Sequence, residues 1–184
     1  MNDEQLVALC KTGEKQAFEE LIRRYYLPLN KFFYKLLKDA AVCEDLSHDV
    51  IIKLIENIER YRSVTGVKFS TWLFKIAYNR YIDYLKKSPA DRETCLDEAA
   101  MELSSAADTH DSAWKNMRNE NLRRMLDQLP DEMKMLVILR YYSDFSYSAI
   151  GKIMGMSLVT VKWKLHNSVK KLKSLLVDNG GEDI

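Results

Sequence analysis

The chain has 184 residues, of which 47% are hydrophobic and 30% charged, with only six glycines and three prolines. That balance excludes a disordered chain and a turn-rich β-sandwich, and makes helices the expectation. The net charge of +1 hides an uneven distribution, in which two mildly basic ends flank an acidic middle.

Met1 to Leu9 carries Asp3 and Glu4 and no basic residue, so it does not read as a secretory signal. The longest apolar run, Met135 to Leu139, is bounded by Lys134 and Arg140 and falls far short of the ~20 residues that span a bilayer. A cytosolic (cytoplasmic) protein without membrane insertion is expected. Cys10, Cys43 and Cys95 are odd in number and lack a Cys-x-x-Cys pair, and His48, His110 and His166 lack ligand spacing. Neither a disulfide framework nor a metal site is suggested, and no cofactor is expected.

In chain order, Phe18, Leu21, Ile22, Tyr25, Leu29, Phe32 and Leu36 recur at steps of three and four, the mark of one apolar helix face. Pro28 interrupts the run, so the helix either kinks or gives way to a second one there. Leu46, Val50, Leu54 and Ile58 form a second apolar face, with Glu44, Asp45, Asp49 and Lys53 turned elsewhere. A third helix starts near Phe69. Its inner side is expected to hold Phe69, Trp72, Leu73, Ile76, Ala77 and Tyr84, and its outer side Thr71, Lys75, Tyr78, Ile82 and Lys86, with Asn79 at the margin.

That outer stripe mixes cations, aromatic rings and amides, which suits a melting or single-stranded nucleic acid; a plain solvated face is the other interpretation of the same residues. The preceding loop, RYRSVTGVK, adds Arg60, Tyr61, Arg62 and Lys68. Residues 88–118 are rich in Ser, Ala and acidic residues and include Pro89. They read as a flexible linker, or as a linker holding a short helix from Leu96 to Leu103.

Toward the C-terminus, Ser146 is placed to cap a helix YSAIGKIM, Gly151 to permit close approach, and Gly155 to end the helix in a left-handed conformation. Ser157 caps the next helix. Helix, tight turn and second capped helix form a helix-turn-helix. In the second helix Leu158, Val161, Leu165, Val169, Leu172 and Leu176 make a buried face. Thr160, Trp163, Lys164, Asn167, Lys170 and Lys171 lie opposite, with Lys162 and His166 on the flank. From Thr160 to Lys173 there are five lysines and no acid, which fits a helix that reads bases near its start and grips phosphates further along. A helical hairpin packed on a partner protein, with a merely solvated lysine face, is the other interpretation of the same residues.

Three strings, in order, resemble the extracytoplasmic-function (group IV) sigma factors of bacterial RNA polymerase: CEDLSHDVIIKLIENI, FSTWLFKIAYNRYIDYLKK and LDQLPDEMKMLVILRYYSDFSYSAIGKIMGMSLVTVKWKLHNSVKKL. The resemblance implies an all-α fold of two small helical domains. Residues 1–87 would be the region 2 domain, 88–118 the linker and 119–184 the region 4 domain with the helix-turn-helix. Glu44, Asp45, Leu46, Asp49 and Lys53 would meet the β′ clamp helices of the polymerase core, and the second domain the β flap. Arg60, Tyr61, Arg62, Lys68, Lys75, Tyr78, Asn79, Arg80 and Lys86 would hold the non-template single strand of the minus-ten element, with a base flipped into the loop. Ser157, Thr160, Lys162, Trp163, Lys164, His166, Asn167 and Lys170 would face the minus-thirty-five element as duplex promoter DNA. An anti-sigma factor would be a further partner.

The chain departs from the family pattern at His48, Ile51, Ile55, Ala149, Asn167, Val169 and, above all, Trp163, where a small residue is usual. No nucleophile with a base, phosphate-cradling loop or metal cluster is visible, so an enzyme is not expected. Two rivals use the same features: a stand-alone helix-turn-helix regulator, which needs no strand-binding first lobe, and a helical adaptor that binds only proteins.

Overall fold

The computed structural model describes residues 1–62, 67–87 and 124–179, with side chains through 175. The expected linker, with Leu96 to Leu103, Cys95 and His110, lies outside the described residues, as does the middle of the loop at 63–66. All the described regular elements are helices.

In the first lobe, α1 (Asp3–Lys11) opens on a reciprocal cap. The Asn2 side chain accepts from the Gln5 amide at 2.9 Å, and the Gln5 side chain accepts from the Asn2 amide at 3.0 Å. The second helix, α2 (Lys15–Leu37), runs unbroken through Pro28; the exposed proline costs one backbone hydrogen bond but disturbs no buried packing. Its buried set is Ala17, Leu21, Leu29, Asn30, Phe32, Phe33 and Leu36, while Phe18, Ile22 and Tyr25 are half-buried. The face is broader than one stripe because α2 packs on both α1 and α3. Asp39 caps α3 (Ala40–Asn57) by accepting from the Val42 amide at 3.0 Å, and the expected face of Leu46, Val50, Leu54 and Ile58 is buried.

After a short 3-10 turn (Ile58–Arg60), α4 (Phe69–Lys86) closes the lobe against α3. Its buried face differs from the expected one: Trp72, Ile76 and Tyr84, expected inside, are half-buried, and Thr71, expected outside, is buried. Phe69, Leu73, Ala77 and Tyr81 fill the core of the lobe, and Thr71 and Phe74 are buried as well. The second buried side exists because the other lobe packs there.

That second lobe begins with a helical turn at 124–127 and continues with α5 (Asp131–Val137), which widens into a π-helical segment (Ile138–Tyr142). The helix-turn-helix follows as α6 (Tyr147–Met154) and α7 (Leu158–Asn179). Ser146 Oγ accepts from the Ala149 amide at 3.2 Å, and Gly155 sits at φ 72°, as the sequence suggested. Gly151 has a sharper reason than helix approach in general: a Cβ there would stand 2.7 Å from the Met156 carbonyl oxygen of the turn.

The lobes share one apolar core. Phe74 of α4 meets Phe145 edge to face, with centroids 4.9 Å apart, and Lys35 of α2 sits 3.8 Å from the Tyr142 ring centroid. Lys134, only 7% exposed, donates to the Leu36 carbonyl at 3.0 Å and to Asp127 Oδ1 at 2.8 Å, while Lys38 pairs with the other Asp127 oxygen. Leu36 lies in the last turn of α2, where carbonyls lack intrahelical donors. The second lobe thus caps a helix of the first.

Candidate nucleic-acid interface

The turn between α6 and α7 orients α7 through its cap. Ser157 Oγ accepts from the Thr160 amide at 3.1 Å and also bonds the Thr160 hydroxyl at 2.7 Å. Val161 and Leu165 anchor the first two turns in the core, and Ser168, whose hydroxyl donates to the Lys164 carbonyl, continues the buried face. Leu158, expected inside, is 46% exposed; Val169 and Leu172 are half-buried. The short α6 ends before it can cover the start of α7.

On the outward side, Val159, Lys162, Trp163, His166 and Lys170 are exposed, with Lys171 and Lys173 beyond them. None of these lysines has an ion pair among the described residues. Lys164 differs from the expectation: its amine is held at 2.6 Å by Glu132 of α5. It braces α7 on α5 rather than standing free for a phosphate. Thr160 and Asn167 are half-buried at the margins.

In the first lobe, the residues expected to hold single-stranded DNA divide into two groups. Lys53, Asn57, Arg60, Trp72, Ile76, Asn79 and Arg80 line one open groove of about 290 Å³ between the end of α3 and α4, where Arg80 is oriented by Asp83 at 3.1 Å. Arg62, Lys75 and Lys86 are exposed near it in sequence. The groove combines cations, two amides and an indole edge, the groups that hold phosphates and a base. Sequence reasoning assigned Lys53 to a protein contact and passed over Asn57; their place beside Asn79 follows from how α3 and α4 pack.

The other group faces the second lobe. Lys68 lines a cleft between the lobes together with Lys31 and Lys35. Tyr78 is half-buried, and its phenol is pushed above its ordinary pKa by burial and then by the Glu132 carboxylate. Tyr61 is a correction: it is only 3% exposed, packed on Phe69 and Trp72 at 5.5 and 5.2 Å between centroids. Its ring supports the loop from within and cannot meet a base.

On α3, Glu44, Asp45 and Asp49 are exposed together, but Leu46 is buried and cannot belong to a docking surface. The exposed apolar residues of α3 are Ile52 and Ile55.

Two helical lobes, one with a cationic groove and one with a capped helix-turn-helix backed by lysines, have the features of a helix-turn-helix DNA-binding protein. Residues 21–91 match the Sigma-70 region 2 family model and residues 119–172 match Sigma-70, region 4. The chain belongs to the sigma-70 family and is an alternative RNA polymerase sigma factor. It is 25% identical over 176 residues to the ECF RNA polymerase sigma factor SigW of Bacillus subtilis, covering 91% of this chain and 93% of that protein. It is 28% identical over 169 residues to the RNA polymerase sigma factor SigV of the same organism, covering 91% and 89%. Among solved structures, the fold is similar to that of CnrH in complex with the cytosolic domain of CnrY, with a TM-score of 0.69 at 18% identity, covering 96% of this chain and 97% of that one.

Proposed function

We propose that this sigma factor is of the extracytoplasmic-function type, with residues 1–87 as its region 2 domain, 88–118 as linker and 119–184 as its region 4 domain. The observation that carries this is the pairing, in one short chain, of an amide-lined cationic groove on the first lobe with a lysine-backed recognition helix on the second. A stand-alone regulator needs only the second.

Arg60, Asn79 and Arg80, helped by Arg62, Lys75 and Lys86, hold the non-template strand of the minus-ten element. Exposed Glu44, Asp45, Asp49, Ile52 and Ile55 present a mixed acidic and apolar face to the polymerase clamp. The outer side of α7 enters the major groove of the minus-thirty-five element, and Lys170 and Lys171 contact phosphates. The factor works by binding and positioning in the cytoplasm, with no bond-making step of its own. An anti-sigma partner is part of this proposal, after the complex of CnrH with the cytosolic domain of CnrY.

The two promoter elements stand about 25 base pairs apart, roughly 85 Å of duplex. Lobes in contact cannot reach both, so they part on the polymerase. The linker, residues 88–118, extends to at most roughly 110 Å, enough for that separation.

The test is run-off transcription with sigma-free core polymerase on a promoter library. Specific start sites are expected, and their absence together with a lack of any core complex overturns the proposal. Asn79→Ala should lower open-complex formation by about fivefold or more, the weight of a base-reading amide, while leaving core binding unchanged. Unchanged open-complex yield would remove Asn79 from the interface.

A further inference from the structure

The start of α7 is built unlike a helix that reads bases through hydrogen bonds alone. Its two cap hydroxyls, Ser157 and Thr160, are bonded to one another, Lys164 is held by Glu132, and Asn167 is half-buried. Among the side chains facing outward over the first two turns, the most exposed apolar ones are Val159 at 77% and Trp163 at 64%. They stand four residues apart, so they share one face and lie about 6 Å apart along the axis. Lys162 and His166 flank them. An apolar patch of this kind in a surrounding field of lysines is suited to something anionic at its rim and apolar at its centre.

Duplex DNA offers one apolar group at a base edge in the major groove, the C5 methyl of thymine. Recognition helices place their N-terminal residues against base edges, and 6 Å corresponds to about two base-pair steps. We infer that Val159 and Trp163 form a methyl-reading pair, so that the upstream element of this factor's promoters is selected for thymines at adjacent or next-adjacent positions. Lys162 beside the pair reaches a neighbouring guanine or a phosphate. The inference rests on α7 being the duplex-reading helix of a sigma factor, and names what that helix reads.

The full chain, loaded on core polymerase, is used to select transcribed templates from a library randomised in the upstream element. In the selected templates each thymidine of that element is then replaced by deoxyuridine, which removes only the methyl group, and holoenzyme affinity is measured. At one or two positions the loss should be about fourfold per methyl, the weight of one buried carbon. Trp163→Ala should abolish that dependence, and Trp163→Phe should restore part of it. Both substitutions are at an exposed site and leave the fold intact.

If deoxyuridine is neutral throughout the element, or the dependence persists in both Trp163→Ala and Val159→Ala, the inference is overturned. It is equally overturned if Trp163→Ala weakens core binding while methyl dependence stays, which would make the patch a protein contact. If no template is transcribed at all, the sigma-factor function itself fails, a result distinct from transcription without methyl dependence.

Discussion

Cys10 and Cys43 both lie in the core, and burial raises both thiols, that of Cys43 to about 12. A thiolate is the reactive form, so neither should react with Ellman's reagent in the folded chain. In a Cys95→Ser variant, less than a tenth of a thiol equivalent is expected before denaturant is added. Rapid native labelling would show that these positions open. The same residue scale shows where sequence patterns stop. Tyr61 sits between two arginines in a loop, and its neighbours suggested a surface role; its ring is instead the one that fills the space beside Phe69 and Trp72. Leu46 belonged to both an apolar spacing and a family docking string, and burial decided for the spacing. Lys53 and Lys164 were expected at a clamp contact and at duplex DNA and stand instead in the α3–α4 groove and against Glu132, because each position depends on a partner helix that periodicity does not supply.

Elements were more legible than residues, since helix ends are specified locally. Ser146, Gly155 and Ser157 mark the turn of the helix-turn-helix without any tertiary information, and each adopts the cap expected of it. Pro28 shows the reverse: propensity alone left a kink or a break open, and packing on α1 and α3 kept one helix. Gly151 is where local and tertiary demands meet. Gly151→Ala should destabilise the chain despite alanine's better helix propensity, because a methyl would stand 2.7 Å from backbone oxygen that cannot move without reopening the turn. A cost of about 1–3 kcal/mol is expected in urea unfolding. An unchanged or raised midpoint would mean that the turn gives way freely.

At the scale of the molecule, the packing of the lobes was not visible in the sequence. Phe74 had no place on either expected face of α4 and Tyr78 was expected outside; only the arrival of α6 and Phe145 determines that the first is buried and the second half-buried. Closure carries a pH dependence. Burial acts to raise the Asp127 carboxyl, but hydrogen bonds from Lys134 and Lys38 outweigh it and hold the pKa below its ordinary value. Of these two bonds only that from Lys38 crosses between the lobes, so the part of the lowering due to Lys38 stabilises the closed state at pH above the carboxyl's ordinary pKa and is lost as pH falls through the lowered value. Energy transfer between dyes on the two lobes should therefore stay high at neutral pH and drop in acid below the ordinary carboxylate range. Lys134→Met should lower it already at pH 7, with closure weakened by about 1.5–3 kcal/mol; equal transfer in parent and variant would show that Lys134 does not hold the lobes.

The bond from Lys134 to the Leu36 carbonyl also means that the lobes are not independent in stability. While they are together, the second lobe supplies the terminal donor for α2. In the proposed opening on the polymerase, that carbonyl would turn to water and the last turn of α2 would be free to fray. Opening therefore loosens the first lobe at the end of the helix nearest the departing domain, and recapture of the second lobe has to re-form that turn. Separated lobes would then regain the closed state by a step of local helix formation as well as by collision of two surfaces.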